Sequence, residues 1–253
     1  MSSYIKTELE ISRIRQSSKI TAAILRKLSV AAVVGVSLLE LERMAKELTE
    51  DAGAKPAFLN YRSYGESHRF PFALCASVND TIVHGRPSGY ILKSGDLLKL
   101  DFGVDWNGGI SDSAITVPVG KVSSEGLRLV KITKQALREG IRAAKDGNKV
   151  GDIGFAIERI VGMAGFKVVE GLTGHGVGNE LHEDPIIYNY GKPNTGIPLK
   201  TGMVIAIEPM VSVGTQAIHQ LKDDSFVTAD GSLSAHFEHT VLITRTGGEI
   251  LSA

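Results

Sequence analysis

Apolar positions recur at helical spacing in four stretches of the chain. Thr7 followed by Glu10 has the spacing of a capping box, and Ile11, Ile14, Ile24, Leu25 and Leu28 form intermittent apolar faces behind it. Ser37 and Glu40 repeat that signature. Leu41, Met44, Ala45 and Leu48 then fall at i, i+3, i+4 and i+7, with Gly53 as a stop. Two helices are therefore predicted within the first 50 residues. Two more are predicted at about 124–144 and 152–164, the second with Ile153, Ile157, Ile160 and Ala164 on one stripe. Runs of strand character lie at 97–104, 114–119, 167–169, 203–207 and 240–244. The stretch 171–202, rich in Gly, Pro and Asn, reads as a long functional loop region.

Two of these runs share a lead-in. Leu92-Lys93-Ser94-Gly95 and Leu199-Lys200-Thr201-Gly202 each feed an apolar strand that ends in a carboxylate, Asp101 in one and Glu208 in the other. Asp112, ahead of a strand at 114–117, and Glu238, ahead of one at 240–243, make a second pair. The pattern predicts a folded-back duplication with halves of roughly 1–120 and 121–253. No low-complexity linker divides the 253 residues, which suffice for one large core, so a single catalytic domain is expected.

Composition narrows the function classes. Hydrophobic residues at 43% and charged residues at 22% are globular values that exclude wholesale disorder. Lys+Arg and Asp+Glu both number 28, so no basic face is advertised to nucleic acid or an anionic membrane. The single cysteine, Cys75, rules out an internal disulfide and points to a reducing compartment. The longest apolar run, 30–39, is too short for a bilayer, and the first 30 residues are too charged for a signal peptide. A soluble cytoplasmic protein is the expectation.

Strand alternation puts Lys99 and Asp101 on one face, and Val204, Ala206 and Glu208 together on a face of the other run. A carboxylate so placed is at least partly buried, and must be protonated, paired with a base or bound to a cation. For any single acid, a buried salt bridge or a strand end reaching water is an equal alternative. Four acids converging from two halves would repel one another unless cations hold them. In Gly174-His175-Gly176-Val177-Gly178 little bulk blocks the imidazole from another group. A phosphate-cradling loop is disfavoured, since neither a Gly-x-Gly-x-x-Gly nor a Walker pattern is present. Zinc templates fail as well: there is no His-Glu-x-x-His, His236-Phe237-Glu238-His239 is not His-x-x-Glu-His, and one cysteine cannot build a deaminase site. His219 is expected on the surface or in a loop.

Six segments carry a resemblance. They are Cys75-Ala76-Ser77-Val78-Asn79-Asp80 with His84-Gly85, Leu100-Asp101-Phe102-Gly103, the run 174–178, Leu181-His182-Glu183-Asp184-Pro185, Ala206-Ile207-Glu208-Pro209-Met210 and Phe237-Glu238-His239-Thr240. In order and spacing they resemble type I methionine aminopeptidases over nearly the whole chain. The resemblance implies the α/β pita-bread fold, two pseudo-symmetric halves with antiparallel sheet and flanking helices around a dinuclear metal site. It implies Asp101, Asp112, His175, Glu208 and Glu238 as ligands of two divalent ions. Asp112 and Glu238 would bridge them, Asp101 completing one site and His175 with Glu208 the other. Oxygen-rich ligation with one imidazole suits Mn, Fe or Co at least as well as Zn. An activated water would attack the first peptide bond, with Glu208 as proton shuttle, His182 as donor to the oxyanion and His84 at the scissile amide nitrogen. Phe70 and Cys75 become walls of the methionine pocket. The implied substrates are N-termini of nascent polypeptides with a small second residue. The implied protein is a cytoplasmic monomer that needs no nucleic acid or membrane and is compatible with ribosome association.

The departures are specific. His236 stands where the family usually has Gln, and Leu181 where an aromatic is common. The family Trp is missing from Asp223-Asp224-Ser225-Phe226-Val227-Thr228, which is expected to loosen the limit on the second residue. Two other functions stay open. A proline-directed aminopeptidase of the same fold usually carries an added N-terminal domain, for which 253 residues leave no room. A metal-free peptide-binding relative would not be expected to retain all five ligand positions together with His84 and His182.

Overall fold

The computed structural model describes residues 4–62 and 68–253. Helices α1, Glu8–Ala31, and α2, Leu38–Asp51, start at the two expected capping boxes. The Thr7 hydroxyl accepts from the Glu10 N–H while the Glu10 carboxylate accepts from the Thr7 N–H, and Ser37 and Glu40 do the same. Helices α3, Ser124–Ala143, and α4, Val150–Met163, lie where periodicity put them. Helix α4 begins earlier than expected because the Asp152 carboxylate accepts from the Lys149 N–H at 2.7 Å.

In the first half of the chain, the strand Leu97–Trp106 pairs antiparallel with Lys55–Pro56, Leu74–Val78 and Gly109–Pro118. It forms one long hairpin with Gly109–Pro118, closed by Asn107 and Gly108 at φ 52° and 79°, the geometry of a I′ turn. This corrects two expectations. Asp112 lies inside its strand, opposite Gly103, and Asp101 lies midway along its own strand, not at the end.

The second half builds a five-stranded antiparallel sheet in the order Gly248–Ile250, His239–Ile243, Val204–Ile207, Thr173–Gly176 and Glu183–Tyr188. The last two strands lie within the stretch expected to be loop. Their glycines are there for close approach: a Cβ on Gly174 would collide with the Ala206 carbonyl, and one on Gly176 with that of Asp184. Two three-stranded sheets complete the structure, Lys167–Val168 with Met210–Ser212 and Ser234–His236, and Thr81–Val83 with Phe226–Thr228 and Ile218–Gln220. His219 is exposed on the last of these strands.

The two lead-ins fold alike. Gly95, φ +107°, donates its N–H to the Val119 carbonyl at 2.9 Å, and Gly202, φ +92°, donates to that of Ile243 at 3.0 Å. The Lys93 and Lys200 carbonyls accept from Asp96 and Met203 at 3.2 and 3.1 Å. Each turn thus delivers its strand to an equivalent partner. Leu25, Leu28 and Leu41 of α1 and α2 pack on Leu74, Leu100 and Phe102 of the first sheet. Leu137, Ile141 and Ile157 of α3 and α4 pack on Ile205, Ile207 and Val241 of the second. Ile11 and Ile14 of α1 cross over to Val204, Ala206 and Leu242. No described helix is long and apolar enough to cross a membrane.

Candidate metal centre

The strand Gly109–Pro118 meets the segment 236–240 side by side. Ala114 and Glu238 exchange main-chain hydrogen bonds of 3.4 and 2.9 Å. The Asp112 N–H donates to Thr240 Oγ1 at 2.9 Å, and Ser113 Oγ donates to the Glu238 carbonyl at 2.7 Å. These bonds set Asp112 of one half beside Glu238 of the other. Asp101 enters from the neighbouring strand, where it faces Ala114. Glu208 follows the strand Val204–Ile207, its carbonyl accepting from Asn189 Nδ2 at 3.0 Å.

All five expected ligand residues converge. Side-chain donor atoms of Asp101, Asp112 and Glu238 lie within 4.8 Å of one another, as do those of His175, Glu208 and Glu238. His182 joins Asp112 and His175 in a third such group.

Burial pushes the carboxyls of Asp101, Glu208 and Glu238 well above the usual range, reinforced by the neighbouring acids, and raises Asp112 to about 7. Among the described residues no Lys or Arg pairs with any of the four. Lys99, on the face of Asp101, spends its ammonium on the Asn79 carbonyl at 2.7 Å, and burial pushes it down to about 7. One oxygen each of Asp101, Asp112 and Glu238 is buried without a hydrogen-bond partner. Such orphaned acceptors are costly, and divalent cations relieve them. His175 Nδ1 lies 2.9 Å from the Gly176 carbonyl, which can only accept. The ring therefore donates from Nδ1 and leaves the Nε2 lone pair facing Glu208 Oε1 at 3.5 Å and Asp112 Oδ2 at 3.9 Å. Burial holds this imidazole down to about 4, so it is neutral at neutral pH. Four carboxylates and one neutral imidazole are a donor set that fits divalent cations.

These groups open into a cavity of about 1330 Å³. An apolar cluster of Phe58, Cys75 and Leu181, with Tyr61 and Phe70 packed against it, forms part of the wall. The His182 ring stands edge-on to Tyr61 and His175, with centroids 5.1 and 4.4 Å apart. Its loop is pinned by Glu183, which pairs with buried Lys6 and accepts from the N–H groups of Asn179 and Glu180 at 2.7 and 2.9 Å. Burial first, and His175 second, hold the His182 pKa well below its ordinary value. His84 sits at φ 58° on a turn that docks on the strand Leu74–Val78. There Gly85 donates to Ser77 Oγ at 3.0 Å and accepts from the Ala76 N–H at 2.8 Å. The His84 ring meets the Phe226 ring edge-on at 5.6 Å.

The sequence pattern of metallopeptidase family M24 matches residues 12–245. This chain belongs to family M24. Within it, the methionine aminopeptidase of Aquifex aeolicus is 45% identical over 252 residues, 97% of each chain. The crystal structure of methionine aminopeptidase from Thermotoga maritima matches with a TM-score of 0.92 at 41% identity, covering 98% of both chains. Prolidase from Pyrococcus furiosus matches at 0.79 and 26%, over 98% of this chain and 65% of that one. The pita-bread architecture and the resemblance to type I methionine aminopeptidases are both borne out.

Of the Phe and Tyr side chains that line this M24 cavity, Phe70 was expected there and Phe58, Tyr61 and Phe226 were not. Phe58 and Tyr61 lie in an irregular segment that pairs with Phe70, where Asn60 donates to the Phe70 carbonyl and Phe70 to that of Tyr61, each at 2.8 Å. Only the aromatic content of that segment hinted at a wall. Phe226 comes from the stretch that lacks the family Trp, so an aromatic still lines the cavity there. His236, at the family's Gln position, is buried and turns to Glu208, with Nε2 3.3 Å from Oε2.

Proposed function

We propose that this chain, acting over 1–253 as one catalytic unit, hydrolyses the first peptide bond of polypeptides that begin with methionine and have a small second residue. The observation that carries the reading is the convergence of Asp101, Asp112, His175, Glu208 and Glu238 beside an apolar cluster in one cavity. Asp101, Asp112, His175, Glu208 and Glu238 would hold two divalent ions, in keeping with two overlapping ligand groups that have Glu238 in common. Mn, Fe, Co or Zn suits this donor set. Such ions supply Lewis acidity toward the carbonyl and acidify water enough to yield a nucleophile at neutral pH.

The chain's own residues do the rest. Glu208, buried and raised in pKa, takes up the proton of the attacking water and passes it on. His182, neutral and held by Tyr61, donates from Nε2 to the carbonyl oxygen as it gains charge. His84 contacts the amide nitrogen that leaves. Phe58, Tyr61, Phe70, Cys75 and Leu181 receive the thioether, which fills an apolar slot by rotating its single bonds. Phe226 and His84 crowd the second residue. The reading makes N-termini of nascent polypeptides the substrate and the cytoplasm the setting, in keeping with a lone cysteine. It treats the chain as a monomer that needs no nucleic acid or membrane and is compatible with a ribosome nearby.

Turnover of Met-Ala-Ser and Ala-Pro peptides, by metal-loaded protein and in chelator, tests this. Cleavage of the first peptide alone, lost in chelator, is expected. Equal cleavage of Ala-Pro, or full activity without metal, would overturn it.

A further inference from the structure

Asp184, Ile186 and Tyr188 alternate along the strand Glu183–Tyr188, while Ile187 turns the other way into the core under α3 and α4. On the neighbouring strand Gly174 faces Ile187 and Thr173 faces Tyr188. The register shifts between Gly174 and Gly176, and His175 lines one cavity together with Thr173, Asp184 and Ile186. This strand is the edge of its sheet, and Ile186 and Tyr188 remain 49% and 44% exposed. Asp184 and Ile186 line the catalytic cavity and also a second cavity of about 570 Å³. The second cavity continues over Tyr188 and Tyr190, whose rings lie 5.5 Å apart, to Val150 and Gly151 at the start of α4. One mostly apolar trough thus leads outward from the metal centre.

We propose that this trough binds the part of the substrate polypeptide downstream of the cleaved bond, about four extended residues with an apolar side chain seated on Ile186, Tyr188 and Tyr190. The proposal rests on the aminopeptidase reading above. An aminopeptidase must hold the amino end against its metal centre and let the remaining chain leave through an open side. Asp184 to Tyr188 spans roughly 13 Å at about 3.3 Å per residue, the length of four extended substrate residues. Along this trough, continuous with the catalytic cavity, the apolar side chains of Ile186 and Tyr188 stand uncovered. The charge at its inner end is the Asp184 carboxylate, so apolar or basic downstream residues are favoured over acidic ones.

The test compares kcat/KM of the metal-loaded protein on Met-Ala-Ser with that on two heptapeptides, one carrying Leu and Phe at positions four to six and the other Glu. The apolar heptapeptide should be cut about fivefold faster than the tripeptide, the worth of one partly buried apolar side chain. Tyr188→Ala and Tyr190→Ala should remove that gain and leave the tripeptide rate unchanged. Equal rates on all three peptides with wild-type protein, or variants that slow the tripeptide as much as the heptapeptide, would overturn the trough. So would a wild-type dimer in sedimentation that Tyr188→Ala dissolves with no effect of peptide length. Should either variant fail to fold, the wild-type comparison still decides. Failure to cut any Met peptide would instead sink the aminopeptidase reading itself.

Discussion

The hydroxyl of Tyr61 lies 3.1 Å from Nδ1 of His182. Donation there leaves the proton of the neutral imidazole on Nε2, where a carbonyl oxygen can use it. Tyr61→Phe keeps the ring and removes the donor. It should lower kcat by about three- to tenfold, the size of one hydrogen bond, with KM and metal content near wild type. Steady-state kinetics and metal analysis check this, and a rise in KM alone would make Tyr61 only a pocket wall.

Metal-free protein should lose stability as pH rises. Burial lifts the four carboxyls above their ordinary values of 3.8 and 4.5, so the folded chain keeps protons that the unfolded chain releases. Their contribution is complete below those ordinary values. It declines as pH climbs through the raised pKa of each group, about 7 for Asp112. With divalent ions bound, the folded state holds the carboxylates ionised and the decline should flatten. Thermal melts between roughly pH 5 and pH 8, with and without chelator, measure the difference. Parallel curves would refute it.

His236 Nε2 lies 3.3 Å from Glu208 Oε2, in contact but not in hydrogen-bond geometry. His236→Ala should weaken divalent metal binding by about 10- to 100-fold, as loss of a group that orients a ligand usually does. His236→Gln, which retains a donor, should recover most of it. Isothermal titration on the three proteins decides, and identical affinities would show that the imidazole only fills space.

Phe226 packs edge-on to His84 at the cavity wall. Phe226→Ala should admit larger second residues, raising kcat/KM for Met-Leu relative to Met-Ala about tenfold, since each methylene group accommodated is worth roughly 1–3 kcal/mol. An unchanged ratio across a Met-X series would move the size limit to another wall.

Helix starts were legible because a capping box is a local device, and Thr7 with Glu10 and Ser37 with Glu40 needed no tertiary context. The acids were legible as a pattern because both lead-ins repeat. The first half of the strand Gly109–Pro118 escaped, although Asn107-Gly108 is a strong hairpin signal. Its serines break the apolar alternation, and their polarity is absorbed from far away: Ser111 Oγ lies 2.8 Å from Thr21 Oγ1 on α1. Glu42 escaped likewise, a charged residue on a helix that is buried because its carboxylate accepts from the N–H groups of Ala73 and Leu74. The contact between Tyr61 and His182 joins positions far apart in the chain, and no spacing rule reaches that distance.

Asp112 and Glu238 sit on opposite sides of the join between the two halves. A divalent ion held by both would act as a clasp across that join, its strength set by the metal in solution. The clasp tightens with the logarithm of free metal, by roughly 2.7 kcal/mol once metal reaches about a hundred times its Kd. In metal-poor solution the join relies on the Ala114–Glu238 bonds and on Ile11 and Ile14 reaching across. The folded chain is therefore a gauge of its own metal supply, readable as resistance to unfolding before any substrate is added.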